Sequence, residues 1–114
     1  MSKSDALSHA ELTLRLDLYG DLLQGRAAEV LDLYLNEDLS LGEIAETMGI
    51  SRQAVHDACE RGRRRLEQYE AVLGLAAKHS ELKRQCDCLE EKLDAGDLAG
   101  AREQLRNLRK FLEQ

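Results

Sequence analysis

The chain has 114 residues, a formal net charge of −6, 43% hydrophobic and 33% charged residues, three cysteines and no proline. That composition excludes a disordered polymer and a disulfide scaffold, and no stretch approaches the ~18 apolar residues of a membrane span. It fits one small, almost wholly helical domain with a helical appendage, carrying reduced thiols in a cytoplasmic setting.

In chain order, residues 1–7 read as a flexible start without the apolar run of a secretory leader. Ser8-His9-Ala10-Glu11 is a capping-box pattern that opens a helix, with Leu12, Leu16, Tyr19 and Leu23 on one face. Leu12 to Leu18 also alternates with period two, but no second strand pattern exists to pair with it. Gln24-Gly25 breaks the run, and a second helix turns Ala27, Val30, Leu31 and Tyr34 inward until Asn36-Glu37-Asp38 ends it. Ser40 with Glu43 caps a short third helix, Gly49 stops it, and Ser51 at once caps a fourth. Past Leu66 the repeat becomes a heptad: Val72, His79, Cys86 and Leu93 every seven residues, with Leu75, Leu82 and Leu89 three places on. Gly96-Asp97 separates this from a last helix carrying Leu98, Ala101, Leu105, Leu108 and Leu112. The expected layout is all-α: a domain over residues 8–70, then a helical hairpin or tail over 71–114 whose seam favours a homodimer.

The third and fourth helices meet the demands of a helix-turn-helix. Close approach needs a small inner residue, supplied by Ala45 beside Ile44 and Met48. The turn needs positive φ, which Gly49 adopts without steric cost, while Ile50 and Val55 return to the shared core.

On these residues the chain resembles the YlxM family, small bacterial proteins with a fold like region 4 of sigma factors. The similarity is carried by Asp38-Leu39-Ser40-Leu41-Gly42-Glu43-Ile44-Ala45-Glu46, by Ser51-Arg52-Gln53-Ala54-Val55-His56-Asp57 and by Glu67-Gln68-Tyr69-Glu70. Thr13-Leu14-Arg15 and Tyr19-Gly20-Asp21-Leu22-Leu23 fit more loosely, so the match runs from about residue 12 to residue 75. Gln24, Ala27 and Val72 depart from the family's usual Thr, Gln and Lys. The resemblance implies a regulatory protein rather than an enzyme, linked to the signal recognition particle through that particle's GTPase, its RNA or both.

Charge is unevenly spread. Residues 1–50 carry 10 acids against 3 bases, whereas residues 51–66 carry 5 arginines against 2 acids. At 100° per residue the fourth helix presents Gln53, His56, Asp57, Glu60 and Arg64 outward, with Arg52 and Arg63 flanking. Arg52 and Gln53 suit guanine and adenine edges, and Arg61, Arg63, Arg64 and Arg65 suit phosphates. Asp57 and Glu60 oppose a phosphate groove. Two readings follow: an accessory of the signal recognition particle, or a transcriptional regulator reading double-stranded DNA with helix 52–66.

Other chemistry is sparse. Cys86-Asp87-Cys88 places its thiols in different directions on a helix, so no metal site is expected and Cys86 reads as a small core residue. His79 falls on the same seam. No nucleophile is set beside His56-Asp57 and no phosphate loop exists, so neither catalysis nor a cofactor is expected.

Overall fold

The computed structural model describes residues 7–114, and within them every regular element is helical. α1 is His9–Tyr19, followed by a 3₁₀ turn over Gly20–Leu22; then come α2 Arg26–Leu35, α3 Leu41–Met48, α4 Arg52–Leu73, α5 Leu75–Asp94 and α6 Leu98–Leu112. The flexible start expected over residues 1–7 lies outside the described residues except for Leu7, which packs against the core.

Each boundary has a local cause. Ser8 Oγ accepts the Glu11 N–H at the start of α1, and Ser51 Oγ accepts the Ala54 N–H at the start of α4. At α3 the box is reciprocal: Ser40 Oγ accepts from Glu43 N, and the Glu43 carboxylate accepts from Ser40 N, both at 3.1 Å. These hydrogen bonds, the one from the Ser40 backbone first, hold the Glu43 carboxyl below its ordinary pKa. Gly49 takes φ 68° and ψ 34°, and the Ile50 N–H closes on Ala45 O at 3.1 Å.

α4 is the central strut, packed on α1, α2 and α3. The core joins Leu12, Leu16 and Tyr19 of α1, Leu23, Val30, Leu31 and Leu35 around α2, Ile44 and Ala45 of α3, and Val55, Ala58, Cys59 and Leu66 of α4. On α2 the buried end is Leu35, while Ala27 and Tyr34, expected inside, are half-buried. Burial first of all pushes the Cys59 thiol up from its ordinary pKa, which keeps it a neutral packing group. Gly62 marks the tightest crossing. A Cβ there would clash with Leu31 Cδ1, sit 3.0 Å from Leu31 Cγ and lie 3.6 Å from Ala27 O.

α4 does not end at Leu66 but runs on to Leu73, where Gly74 stops it at φ 62°. A part-buried polar knot then holds the start of α5. The Tyr19 hydroxyl donates to Glu70 Oε1 at 2.5 Å and accepts the Leu75 N–H at 2.9 Å. Glu70 Oε1 also accepts the Ala76 N–H at 2.8 Å. Burial, and then the bond to Glu70, raise the Tyr19 pKa. The Tyr69 hydroxyl donates to Leu22 O at 3.2 Å, tying α4 to the 3₁₀ turn.

The contacts divide the chain into two units, up to Ala76 and from Ala77, a later boundary than residue 70. The heptad seam, which starts in the first unit and runs into the second, is not a core. Gly74 interrupts it, Val72 is 83% exposed, Cys86 and His79 are exposed as well, and Leu82 and Leu89 are only half-buried. The buried residues of the second unit are Gln85, Ala101 and Gln104. The physical reason is that a heptad marks an apolar face, and a face is buried only where another element lies over it.

Candidate nucleic-acid interface

The exposed side of α4 begins at Ser51, immediately after the Gly49 turn, so the cap and the left-handed glycine together set how the helix is presented. Its core side is as the wheel requires: Val55, Ala58, Cys59, Gly62 and Leu66 are buried and Ala54 is half-buried. Ile44 and Ala45 hold α3 beneath it, and Ile50 packs half-buried against the same core.

The positions suited to reading bases are exposed but engaged within the chain. Arg52 lies folded over α3, where a Cβ on Gly42 would come within 2.6 Å of its Nη2. Gln53 Nε2 donates to Asp57 Oδ1 at 2.9 Å. His56 Nδ1 stands 3.6 Å from the same carboxylate oxygen. Any base contact by Gln53 or His56 must compete with Asp57.

The arginines separate into two groups. Arg63 is drawn toward the body of the helix, its side chain 17% exposed with Nε 3.9 Å from Glu60 Oε1. Arg61, Arg64 and Arg65 are exposed, and the Arg64 Nε donates back to Glu60 O at 3.4 Å.

Two hollows show what these arginines face. The broader, about 920 Å³, lies along the outward side of α4 and mixes His56, Arg61 and Arg64 with Asp57, Glu60 and Glu67. Carboxylates there repel phosphate. The smaller, about 310 Å³, is lined by Arg61 and Arg65 against Leu22, Leu23, Gln24 and Ala27, with no carboxylate in the wall. It opens beside the N-terminus of α2, where Gly25 at φ 68° supplies no capping side chain. Sequence reasoning had placed Gln24 and Ala27 among the departures from the family pattern without connecting them to α4. The signal that could have found them was the i, i+4 spacing of Arg61 and Arg65, which puts both on one flank.

Among the described residues, no cluster of His, Cys, Asp or Glu could hold a metal ion, and no helix is long and apolar enough to cross a membrane. Cys88 is half-buried.

Comparison with known proteins extends beyond the motif. The model of the family UPF0122, described as "Putative helix-turn-helix protein, YlxM / p13 like", matches residues 8–106. That span takes in α5 and most of α6, so the likeness does not stop near residue 75. UPF0122 protein STH1464 of Symbiobacterium thermophilum is 45% identical over 98 residues, which is 86% of this chain and 92% of that protein. A UPF0122 protein of Acetivibrio thermocellus is 55% identical over 73 residues, 64% of this chain and 62% of that one. UPF0122 protein TTE1463 of Caldanaerobacter subterraneus is 44% identical over 80 residues, 70% and 68% of the two chains. The helix-turn-helix geometry, the match over residues 8–106 and these identities agree: this chain belongs to the YlxM/p13-like helix-turn-helix family.

Proposed function

We propose that the protein is a regulatory accessory of the signal recognition particle in the cytoplasm, without catalytic activity. It holds the phosphate backbone of the particle's structured RNA on the Arg61–Arg65 flank of α4. The observation that carries this reading is the carboxylate-free hollow between those two arginines and the loop before α2. The base-reading positions, in contrast, are tied to Asp57 or folded over Gly42. An arginine pair aimed at phosphates, without free side chains for base edges, suits shape recognition of RNA. The particle's GTPase is the second component of this assembly, implied by the same resemblance.

The test is a competition between labelled particle RNA and random duplex DNA, with the GTPase absent and present. RNA binding should be saturable above duplex competitor, and Arg61→Ala and Arg65→Ala should weaken it. With Arg61, Arg64 and Arg65 in range, the log–log salt slope should be no steeper than roughly −2.7. Equal binding of RNA and random duplex, untouched by both substitutions, overturns the reading.

A second reading rests on the exposure of Arg52, Gln53 and His56 at the N-terminal end of α4. In it the protein is a transcriptional regulator whose helix 52–66 enters the major groove of duplex DNA. Arg52→Ala and Gln53→Ala would then alter sequence preference, whereas Arg64→Ala and Arg65→Ala would weaken all duplexes alike.

A further inference from the structure

The second unit, Ala77–Gln114, has no fully buried leucine; Leu82, Leu89, Leu108 and Phe111 are half-buried. Its buried residues are two glutamines and an alanine. Four of its leucines face outward: Leu93 is 52% exposed, Leu98 66%, Leu105 40% and Leu112 64%. Units below roughly 40 residues need outside support to be stable, most simply another copy.

These leucines share one side of the hairpin. Lys92 Nζ reaches Gln104 Oε1 at 3.4 Å, which marks the edge where α5 and α6 meet. Leu93 and Leu105 each follow one residue later, about 100° round their helices. Because the two helices run antiparallel, equal rotations bring both to the same face. Leu98 and Leu112 lie seven residues either side of Leu105, so they stay on that face, as does Cys86 seven residues before Leu93.

The rims of this face carry opposite charge. Residues 87–94 hold four acids and one lysine, while residues 98–112 hold four bases and one acid. On the same wheel Glu90 and Asp94 fall about 160–200° from Lys92, on the outer rim of α5. Arg102 and Arg106 fall equally far from Gln104, on the outer rim of α6. All four are exposed. A face that is apolar in the middle, acidic on one rim and basic on the other is complementary to itself after a half-turn about an axis parallel to the helices.

We propose that a second copy of this chain docks on the leucine face of α5 and α6, with α6 of one protomer lying over α5 of its partner. The half-turn makes a four-helix bundle in which both hairpin turns lie at the same end. It carries the Lys92–Gln104 level across the interface, so Arg106 meets Glu90 and Arg102 meets Asp94 of the partner subunit. The other face-to-face stacking sets α6 on α6 and opposes like charges. The pairing does not depend on what α4 binds.

Sedimentation of the full chain over a concentration series tests the proposal. The expected mass is twice 12.8 kDa. Leu98→Glu with Leu105→Glu should give the monomer with unchanged helical circular dichroism. Glu90→Arg with Asp94→Arg, both on exposed positions, should weaken dimerisation roughly tenfold by removing and reversing rim pairs. Adding Arg102→Glu and Arg106→Glu to that variant should restore it. A wild-type chain that stays monomeric at about 100 μM, where interfaces of micromolar affinity are occupied, overturns the proposal and assigns the face to a different protein. A dimer indifferent to the leucine substitutions overturns this face. Failure of the charge swap to rescue overturns the α6-over-α5 arrangement.

Discussion

The two units of this chain are built from similar helices and differ in what covers them. In the first, four helices enclose Tyr19, Leu31, Ile44, Leu66, Val30 and Val55, each less than 2% exposed. In the second, Leu93, Leu98, Leu105 and Leu112 are exposed and Leu82, Leu89 and Leu108 half-buried, while the buried residues are Gln85, Ala101 and Gln104. Both regions carry regular apolar spacing in the sequence. Only where three or more helices converge does the spacing become a core, because a two-helix hairpin has an open side by construction.

Replacing one large apolar residue in each unit gives the largest contrast. Ile44→Ala removes a fully buried side chain and should cost about 2–5 kcal/mol by urea unfolding. Leu105→Ala, measured in solution dilute enough for monomers, should cost about 0.5 kcal/mol or less. Similar losses for the two would mean that the hairpin hides its leucines within the chain, and the contrast would be gone.

Gly62→Ala probes the tightest packing of the first unit without deleting anything. The new methyl meets Leu31 Cγ at 3.0 Å with the Ala27 carbonyl behind it, so α2 and α4 must part or Leu31 must change rotamer. A cost of about 1–3 kcal/mol is expected. Alanine's better helix propensity works the other way by up to ~1 kcal/mol. A net stabilisation would show that the α2–α4 crossing is looser than these distances.

How much of this could be read in advance divides along the same line. Local signals were legible: Ser8, Ser40 and Ser51 as caps, Gly49 as the left-handed stop, and Ile44, Ala45 and Val55 as motif core. Each is set by chemistry within a few residues. The exposure of Cys86, expected in a core, was not legible, because the heptad runs through Gly74 in sequence while the helix does not. The tight crossing at Gly62 was not legible, since the residue it must clear, Leu31, lies far away in the chain. At the candidate interface the arginines were plain. The withdrawal of Arg63 and the hollow shared by Arg61, Arg65, Gln24 and Ala27 depend on tertiary packing.

The next step down concerns the cap of α3, a local device inside the well-packed unit. Ser40→Ala removes the oxygen that accepts the Glu43 N–H and should cost about 1 kcal/mol. The Glu43 carboxyl is held below its ordinary pKa, so its contribution is complete above the ordinary carboxylate range. It is lost as pH falls through the depressed value. Glu43→Gln should therefore remove part of the acid-side fall in stability, as read by thermal melts across a pH series. An unchanged acid profile would mean that the box does not persist in solution.

The smallest effect belongs to the hairpin and sharpens the contrast from the other side. Arg84 holds Glu81 in a forked pair, Nη2 to Oε1 at 2.6 Å and Nε to Oε2 at 3.0 Å, with Gln85 Nε2 adding a third donor at 3.1 Å. These bonds, the Arg84 pair first, pull the Glu81 carboxyl from 4.5 down to about 2. The linkage sign is that of a depressed acid: the contribution is full above 4.5 and disappears on acidification toward about 2. Exposed pairs of neighbours on one helix contribute little to stability, because both side chains lose freedom and water screens the charges. Arg84→Ala should thus return the Glu81 titration, followed by carboxyl NMR, most of the way to its ordinary range while leaving the unfolding midpoint at neutral pH in place. A large drop in that midpoint would mean that the α5 surface is held together by its charges. In the first unit, by contrast, truncating the buried Ile44 side chain should matter more than removing an entire ion pair does here.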